Sequence, residues 1–188
     1  MLRFLFLLLF ALPAIAQKTN TELGTAPAGF SWQALPEIKA SMLLPEGWYF
    51  KPEGQKGANA YFLTKEEIVE GGEFQTGASI NVNRKLKAKT GRIAPDYAKA
   101  FSALGGRGAN QELLEERAEI DGPLHKYMVR FRASPPNAAS KIIYQIAIGN
   151  VKTDTLYILV FESPEKDWPQ AWKLGEVMIR EWVLDSRE

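Results

Sequence analysis

The chain has no cysteine and a single histidine, His125. The first absence removes disulfides, thiol nucleophiles and thiolate ligands together. With one histidine besides, structural zinc of the usual kind is excluded, because such sites take four Cys or His ligands. Stability must therefore come from packing, and a domain of this length buries about 70% of its unfolded surface. Net charge is also missing. Lys and Arg number 23 against 22 Asp and Glu, so no global field draws the chain to nucleic acid or to an anionic membrane surface. The longest apolar run, residues 4–12, is nine residues, far short of the roughly 20 that a spanning helix needs. No G-x-S-x-G elbow precedes a helix pattern, and no repeat of 20 to 50 residues is seen.

What stands at the N-terminus is an export signal. Arg3 precedes the apolar run, and Pro13-Ala14-Ile15-Ala16 follows it before the polar Gln17-Lys18-Thr19-Asn20. This is the charged, apolar, small-residue order of a cleavable signal peptide with an A-x-A site. Residues 1–16 are expected to leave, making Gln17 the first mature residue. The product is exported, periplasmic or extracellular, and the short signal and cysteine-free body favour a bacterial periplasm. Cleavage takes away Arg3 and no acidic group, so 22 basic residues face 22 acidic ones. No cysteine follows to carry a lipid, so no membrane anchor is expected after cleavage. Residues 17–29, rich in Thr, Gly, Ala and Pro, read as a flexible leader. Residues 30–188 read as one globular domain.

Within that domain, period-two alternation dominates. Residues 30–32 and 38–44 read as extended, Pro45-Glu46-Gly47 as a turn, and residues 48–50 as the start of a further strand. Residues 51–57 read as a polar turn and 60–63 as the next strand of a meander. Residues 64–76, with Glu66, Glu67, Glu70 and Glu73, read as a loop. In 76–86, Ala78, Ile80 and Val82 alternate with Ser79, Asn81 and Asn83. Residues 95–104 predict a helix whose packed face carries Tyr97, Phe101 and Leu104, ended by Gly105-Gly106. Residues 112–120 suit either helix or strand, and the Gly122-Pro123 turn favours strand. In 124–133, Tyr127, Val129 and Phe131 oppose Lys126, Arg130 and Arg132. Ile142, Tyr144, Ile146 and Ile148 alternate next. Residues 156–161 are apolar on both parities, as in a central strand covered on both faces. From Pro164 or Pro169 to about Leu184, Trp168, Ala171, Trp172, Gly175, Met178, Ile179 and Trp182 form a 3.6-periodic apolar stripe that must lie on the sheet.

These elements define an α+β class with a mostly antiparallel sheet flanked by helices, and the two-sided strand 156–161 argues for a three-layer α/β/α sandwich. The opening FSWQALPEIKASMLLPEGWYF (residues 30–50), the strand GPLHKYMVRFRAS (122–134) and the strand pair with its following helix, KIIYQIAIGNVKTDTLYILVFESPEKDW (141–168), resemble the PsbP-like superfamily. That superfamily includes the extrinsic P subunit of photosystem II, a Ran-binding import factor and bacterial domains of unknown function. The resemblance spans residues 30–184 and rests on pattern and spacing. It implies a non-enzymatic binding, assembly or accessory role, and it carries over no functional residue. The photosystem subunit's basic extension and the import factor's acidic surface have no counterpart here, and the export signal separates this chain from the cytosolic members.

Candidate chemistry is sparse. His125 shares strand parity with Tyr127 and Val129, as a structural histidine would. The Glu66 to Glu73 loop lacks the alternating Asp/Asn spacing of a calcium loop. Gly105-Gly106-Arg107-Gly108 lacks the Lys-Ser/Thr of a phosphate loop and follows a helix. Trp168, Trp172 and Trp182 read as core, with a ligand groove as the alternative. The basic run Arg84, Lys85, Lys87, Lys89 and Arg92 suits an anionic partner, although it lacks interleaved aromatics for nucleic acid. Trp32 and Trp48, each near a turn, are expected to be partly exposed. The binding candidates are therefore Trp32, Trp48, Arg84, Lys85, Lys87 and Lys89, with no catalytic residue, no metal ligand and no cofactor. Two main functions follow, an envelope accessory protein that binds another protein or a carrier of a small apolar ligand held between the sheet and the C-terminal helix, with a hydrolase using His125 and a serine as a distant third.

Overall fold

The computed structural model describes residues 23–55, 58–69 and 72–184. The expected signal peptide, residues 17–22 of the leader, and Glu70 and Gly71 of the acidic loop lie outside the described residues. The chain opens with β1 (Phe30–Leu35) and β2 (Ala40–Pro45), joined by a 3-10 turn at Pro36–Ile38. A meander follows: β3 (Tyr49–Gln55), β4 (Ala58–Thr64) and β5 (Gly77–Asn83). Two helices, α1 (Leu86–Thr90) and α2 (Ala94–Ser102), lead to four long strands: β6 (Gln111–Asp121), β7 (Leu124–Ala133), β8 (Lys141–Asn150) and β9 (Thr155–Pro164). Last come α3 (Trp168–Arg180) and the two-residue β10 (Val183–Leu184).

Seven strands make one antiparallel sheet in the order β3-β4-β5-β9-β8-β7-β6, and β1-β2-β10 make a second, smaller sheet. The long strand β9 enters the middle of the sheet between β5 and β8. One sheet face is covered by α3 and the small sheet, with Leu35, Ile38, Met42, Ile80, Leu159, Phe161 and Met178 in a shared core. The other face is covered by α2, whose Ala94 and Ala98 meet Leu86, Ala147 and Leu156. The three-layer α/β/α arrangement is thus present, and the two-parity apolar strand is the one that faces both cores: Leu156 on the α2 side, Tyr157, Leu159 and Phe161 on the α3 side.

Two glycines set the spacing of the layers. A Cβ on Gly149 of β8 would lie 2.3 Å from the Pro95 nitrogen, so α2 touches the sheet backbone directly. A Cβ on Gly175 of α3 would lie 2.6–2.7 Å from three atoms of the Phe161 ring. That ring meets Trp168 and Trp172 at centroid distances of 5.9 and 5.8 Å, edge to face. A third anchor is Asp154, in the β8–β9 connection. Its carboxylate accepts from the Ala94 N–H (3.0 Å) at the start of α2 and from the Lys87 N–H (2.6 Å) at the start of α1.

Several expectations need correction. Residues 51–55 are strand, paired with 58–62, rather than a polar turn; Pro52 is tolerated because β3 is an edge strand. The strand expected over 76–86 stops at Asn83, and Leu86 begins α1. Leu104 lies beyond the end of α2 and is 72% exposed; the face of α2 that is fully buried is the small one, Ala94, Pro95, Ala98 and Ser102, because close approach to Gly149 leaves no room for large side chains. The C-terminal helix ends at Arg180, and Val183 and Leu184 turn back as a strand on Ser41 and Ala40. The Pro45-Glu46-Gly47 turn forms as expected, with Gly47 at φ 76° and the Trp48 N–H donating to the Pro45 carbonyl at 3.1 Å. However, it joins strands of two different sheets.

Candidate functional site

A single helix with side chains is about 10–12 Å across, while strands lie about 4.8 Å apart, so a helix covers roughly two strands. Here α3 is seated over β9 by the Phe161–Gly175 contact, yet β8, β7 and β6 continue past it. A groove of about 550 Å³ lies between these strands and the α3–β10 segment.

Alternation along β7 and β8 supplies its floor: Leu124, Met128, Ile146 and Ile148, all at most 6% exposed. The facing wall comes from Trp172, Ile179 and Trp182, with Val183 and Leu184 held in place by β2. Tyr144 closes one end, its ring 4.8 Å from that of Trp172. Trp172 in turn stacks on Trp168 at 4.9 Å. The edge strand β6 adds a charged rim. Its residues facing the groove pair across to β7: Glu119 opposite Lys126, Arg117 opposite Met128, Asp121 opposite Leu124.

Each basic group on that rim is engaged. Lys126 Nζ donates to Glu119 (2.9 Å) and Asp121 (3.0 Å). Burial alone would lower the Lys126 pKa, but the two carboxylates outweigh it and hold the ammonium above its ordinary range. Arg117 donates to the Tyr144 hydroxyl (3.1 Å) and to Met128 Sδ (3.2 Å), and Arg180 to Glu181 (3.0 Å). One donor is left over. The Trp182 indole N–H is buried without a hydrogen-bond acceptor among the described residues, an arrangement that costs about 1–3 kcal/mol.

None of the six binding candidates lines this groove. Trp32 is half-buried on β1 and donates from Nε1 to the Gly24 carbonyl (2.8 Å), tying residues 23–29 to the small sheet. Trp48 is half-buried against the main core. Arg84 staples the 3-10 turn to the sheet, donating to Asn59 Oδ1 (2.8 Å) and to the Glu37 carbonyl. Beside it, Tyr61 donates to Glu37 (2.8 Å); burial first, then the Glu37 carboxylate, push that phenol well above its ordinary pKa. Lys85, Lys87 and Lys89 project from α1 and the residue before it. The basic run is thereby divided, with Arg84 turned to the core-side network and the lysines exposed at α1. Trp168, Trp172 and Trp182 do pack on the core as the periodic stripe requires; Trp172 and Trp182 also face the groove, which lies between sheet and C-terminal helix.

Other candidates have structural work. Glu66 of the acidic loop accepts from the backbone N–H groups of Gln75 (3.1 Å) and Thr76 (3.0 Å), closing that loop on itself. Among the described residues no group of three or more His, Asp or Glu is placed to hold a metal ion. His125 is half-buried opposite Ile120 on the α2 side, since its neighbours Leu124 and Lys126 line the groove. A second depression, about 470 Å³, is lined by Glu53, Asn59, Asn81 and Asn83 and lacks the broad apolar floor of the first. Sequence reasoning missed the groove residues of β6 and β7 because an ion-paired edge strand and a pocket rim have the same alternating charge pattern.

This architecture is the PsbP/Mog1-like fold. CyanoP, the cyanobacterial PsbP of Synechocystis, is similar over 86% of this chain and 96% of its own, with 12% identity and a TM-score of 0.50. The Ran-binding protein Mog1p of Saccharomyces cerevisiae matches over 84% and 96% (17% identity, TM-score 0.45). LpqN of Mycobacterium tuberculosis, described as involved in cell envelope biogenesis, matches over 78% and 83% (12% identity, TM-score 0.45). No protein-family model and no curated protein matches the chain.

Proposed function

We propose that this is an exported, non-enzymatic accessory protein of the cell envelope that works by binding, and that the groove beside α3 is its binding site. The observation that carries the reading is the groove itself. Its volume falls within the roughly 300–1,000 Å³ of small-molecule sites, and it combines an apolar floor with a few fixed polar groups. The chain's one imidazole, on the opposite sheet face, plays no part in it. Export is supported by the signal-like order of residues 1–16. N-terminal sequencing of the mature protein should return Gln17 first; an intact Met1 in the cell envelope fraction would refute cleavage.

For binding, native mass spectrometry of protein purified from the envelope should show an added mass that is lost on Ile146→Trp, which fills the groove floor. A bare polypeptide mass, with no thermal shift across a lipid and metabolite panel, would overturn the groove reading. A second reading, a protein partner, rests on β6, whose outer edge is unpaired among the described residues and open to strand addition. Crosslinks from β6 to one envelope protein would support it.

A further inference from the structure

We infer that the end of the main sheet beside α1 seats on an anionic phospholipid bilayer, with lysines at the headgroup phosphates and aliphatic side chains dipping between them. The inference goes beyond the groove and does not depend on what the groove holds. Its basis is one rim of the molecule. The ends of β5, β9, β8, β7 and β6 form a row, with Asn83 opposite Leu156, Thr155 opposite Asn150, Asn150 opposite Leu124 and Leu124 opposite Asp121. Four steps of about 4.8 Å make that row about 20 Å long. The connections beyond it are tied together. The Val151 N–H donates to the Pro123 carbonyl (3.0 Å), the Leu86 N–H donates to the Asp154 carbonyl (3.1 Å), and the Asp154 carboxylate accepts from the Lys87 and Ala94 N–H groups.

Three aliphatic side chains stand out from this rim. Ile120 at the β6–β7 turn is 71% exposed, Val151 in the β8–β9 connection 50%, and Ile93 between α1 and α2 41%. Single exposed aliphatics are ordinary on a protein surface, but these share the rim with bases. Lys85, Lys87, Lys89 and Arg92 lie on or beside α1 and Lys152 follows Val151, all of them exposed. Among the described residues no acceptor engages the side chains of Lys85, Lys87, Arg92 or Lys152. Of the acids nearby, Asp121 holds Lys126 at 3.0 Å and Asp154 is taken up by two backbone N–H groups, which leaves Asp96. Acidic residues gather instead at the other end of the strands, where the β4–β5 connection carries Glu66, Glu67 and Glu73. A net charge of only +1 therefore hides a separation of charge along the strands, which turns the basic rim toward an anionic surface. A soluble polyanion would use the lysines and leave the aliphatic side chains in water. A bilayer interface takes both.

The test is flotation of the purified protein with vesicles of phosphatidylcholine alone, or of phosphatidylcholine and phosphatidylglycerol in equal parts. The mixed vesicles should carry the protein and the neutral ones should not, and binding should be lost at about 1 M salt, where the screening length falls to about 3 Å. A lysine at an anionic surface is worth about fivefold in partitioning, so Lys87→Gln with Lys152→Gln should weaken binding on the order of twentyfold. Lys166→Gln with Lys173→Gln, the same change of charge elsewhere, should leave it unchanged. Ile120→Ser with Val151→Ser should weaken it about tenfold. Because the chain has no cysteine, Ile120→Cys accepts a single environment-sensitive dye, whose emission should shift to the blue on the mixed vesicles. The same dye on Lys166→Cys should not shift. All the substituted side chains are exposed, so the variants should fold. No flotation with the mixed vesicles, equal flotation with the neutral ones, or an unshifted dye at position 120 overturns the inference. So does undiminished binding by the Ile120→Ser, Val151→Ser variant, which would assign the basic rim to a soluble polyanion. Each of these results leaves the groove reading standing, because no substituted residue lines the groove.

Discussion

A methyl group at Gly175 sets two effects of opposite sign against each other. Gly175 is inside α3, where replacing glycine by alanine ordinarily stabilises a helix by about 1 kcal/mol. At this position the new Cβ would stand 2.6–2.7 Å from Phe161 Cζ, Cε1 and Cε2. The ring cannot step aside. It is fully buried and held edge to face by Trp168 and Trp172. Overpacking of this kind costs about 1–3 kcal/mol, and three simultaneous close contacts with an immobile ring place it in the upper half of that range. The net expectation for Gly175→Ala is therefore destabilisation by about 1–2 kcal/mol, or a fall in Tm of several degrees. Urea denaturation with an unchanged slope is the assay. Phe161→Leu should remove the penalty, so that alanine at 175 becomes stabilising in that background. If Gly175→Ala alone stabilises the protein by the full helix-propensity gain, the claim that this contact seats α3 on β9 is wrong.

Three further outcomes follow from other contacts. Gly149→Ala should be more damaging than Gly175→Ala, because its Cβ meets the Pro95 backbone at 2.3 Å rather than a side chain; loss of soluble expression, or more than about 3 kcal/mol in denaturation, is expected, and a neutral result would refute direct contact between α2 and β8. Asp154→Ala removes both acceptors at the starts of α1 and α2 and should cost about 1–3 kcal/mol, with hydrogen exchange rising first in those helices. For Lys126, whose folded pKa is raised by Glu119 and Asp121, the sign is that of a stabilised cation: its contribution is full below the unfolded lysine value of about 10.4 and is lost as pH rises through the folded value. The stability difference between the wild type and Lys126→Met, about 1 kcal/mol or less for a partly exposed pair, should be constant near neutrality and shrink only in strong alkali; shrinkage on acidifying from pH 8 to 6 would contradict it.

The elements that were legible in the sequence are those whose pattern is set by one neighbouring layer. The alternation in β5 and the stripe in α3 each report a single buried face, and the double apolar parity of β9 reports two; β7 and β8 alternate in residue type yet are buried on both faces. Elements fixed by close approach were harder. The α2 helix fully buries alanines and a proline, residues with no strong hydrophobic signature; of the larger residues expected on its packed face, Tyr97 and Phe101 reach the core only in part and Leu104 not at all. β10 is only two residues long and exists because β2 presents it with a partner.

The candidate site divides in the same way. Aromatic content near the C-terminus was visible, and so was the possibility of a pocket between sheet and helix. The charged runs drew attention to Arg84 and the α1 lysines because a local window cannot tell a free cation from one committed to a carbonyl some fifty residues away in sequence, as Arg84 is to Glu37.

By itself, then, the sequence determined the absence of thiol chemistry, the antiparallel α+β class and the two-faced central strand, all of which depend on composition or on a period within a few residues. Only the tertiary structure decided that the opening hairpin leaves the main sheet, that Gly175 seats α3 over β9, and that β8, β7 and β6 run past α3 so that a groove lies beside it. The groove is made of that last decision. It belongs to no segment, because its floor, wall and rim come from parts of the chain that meet only when one helix is too narrow to cover a seven-stranded sheet.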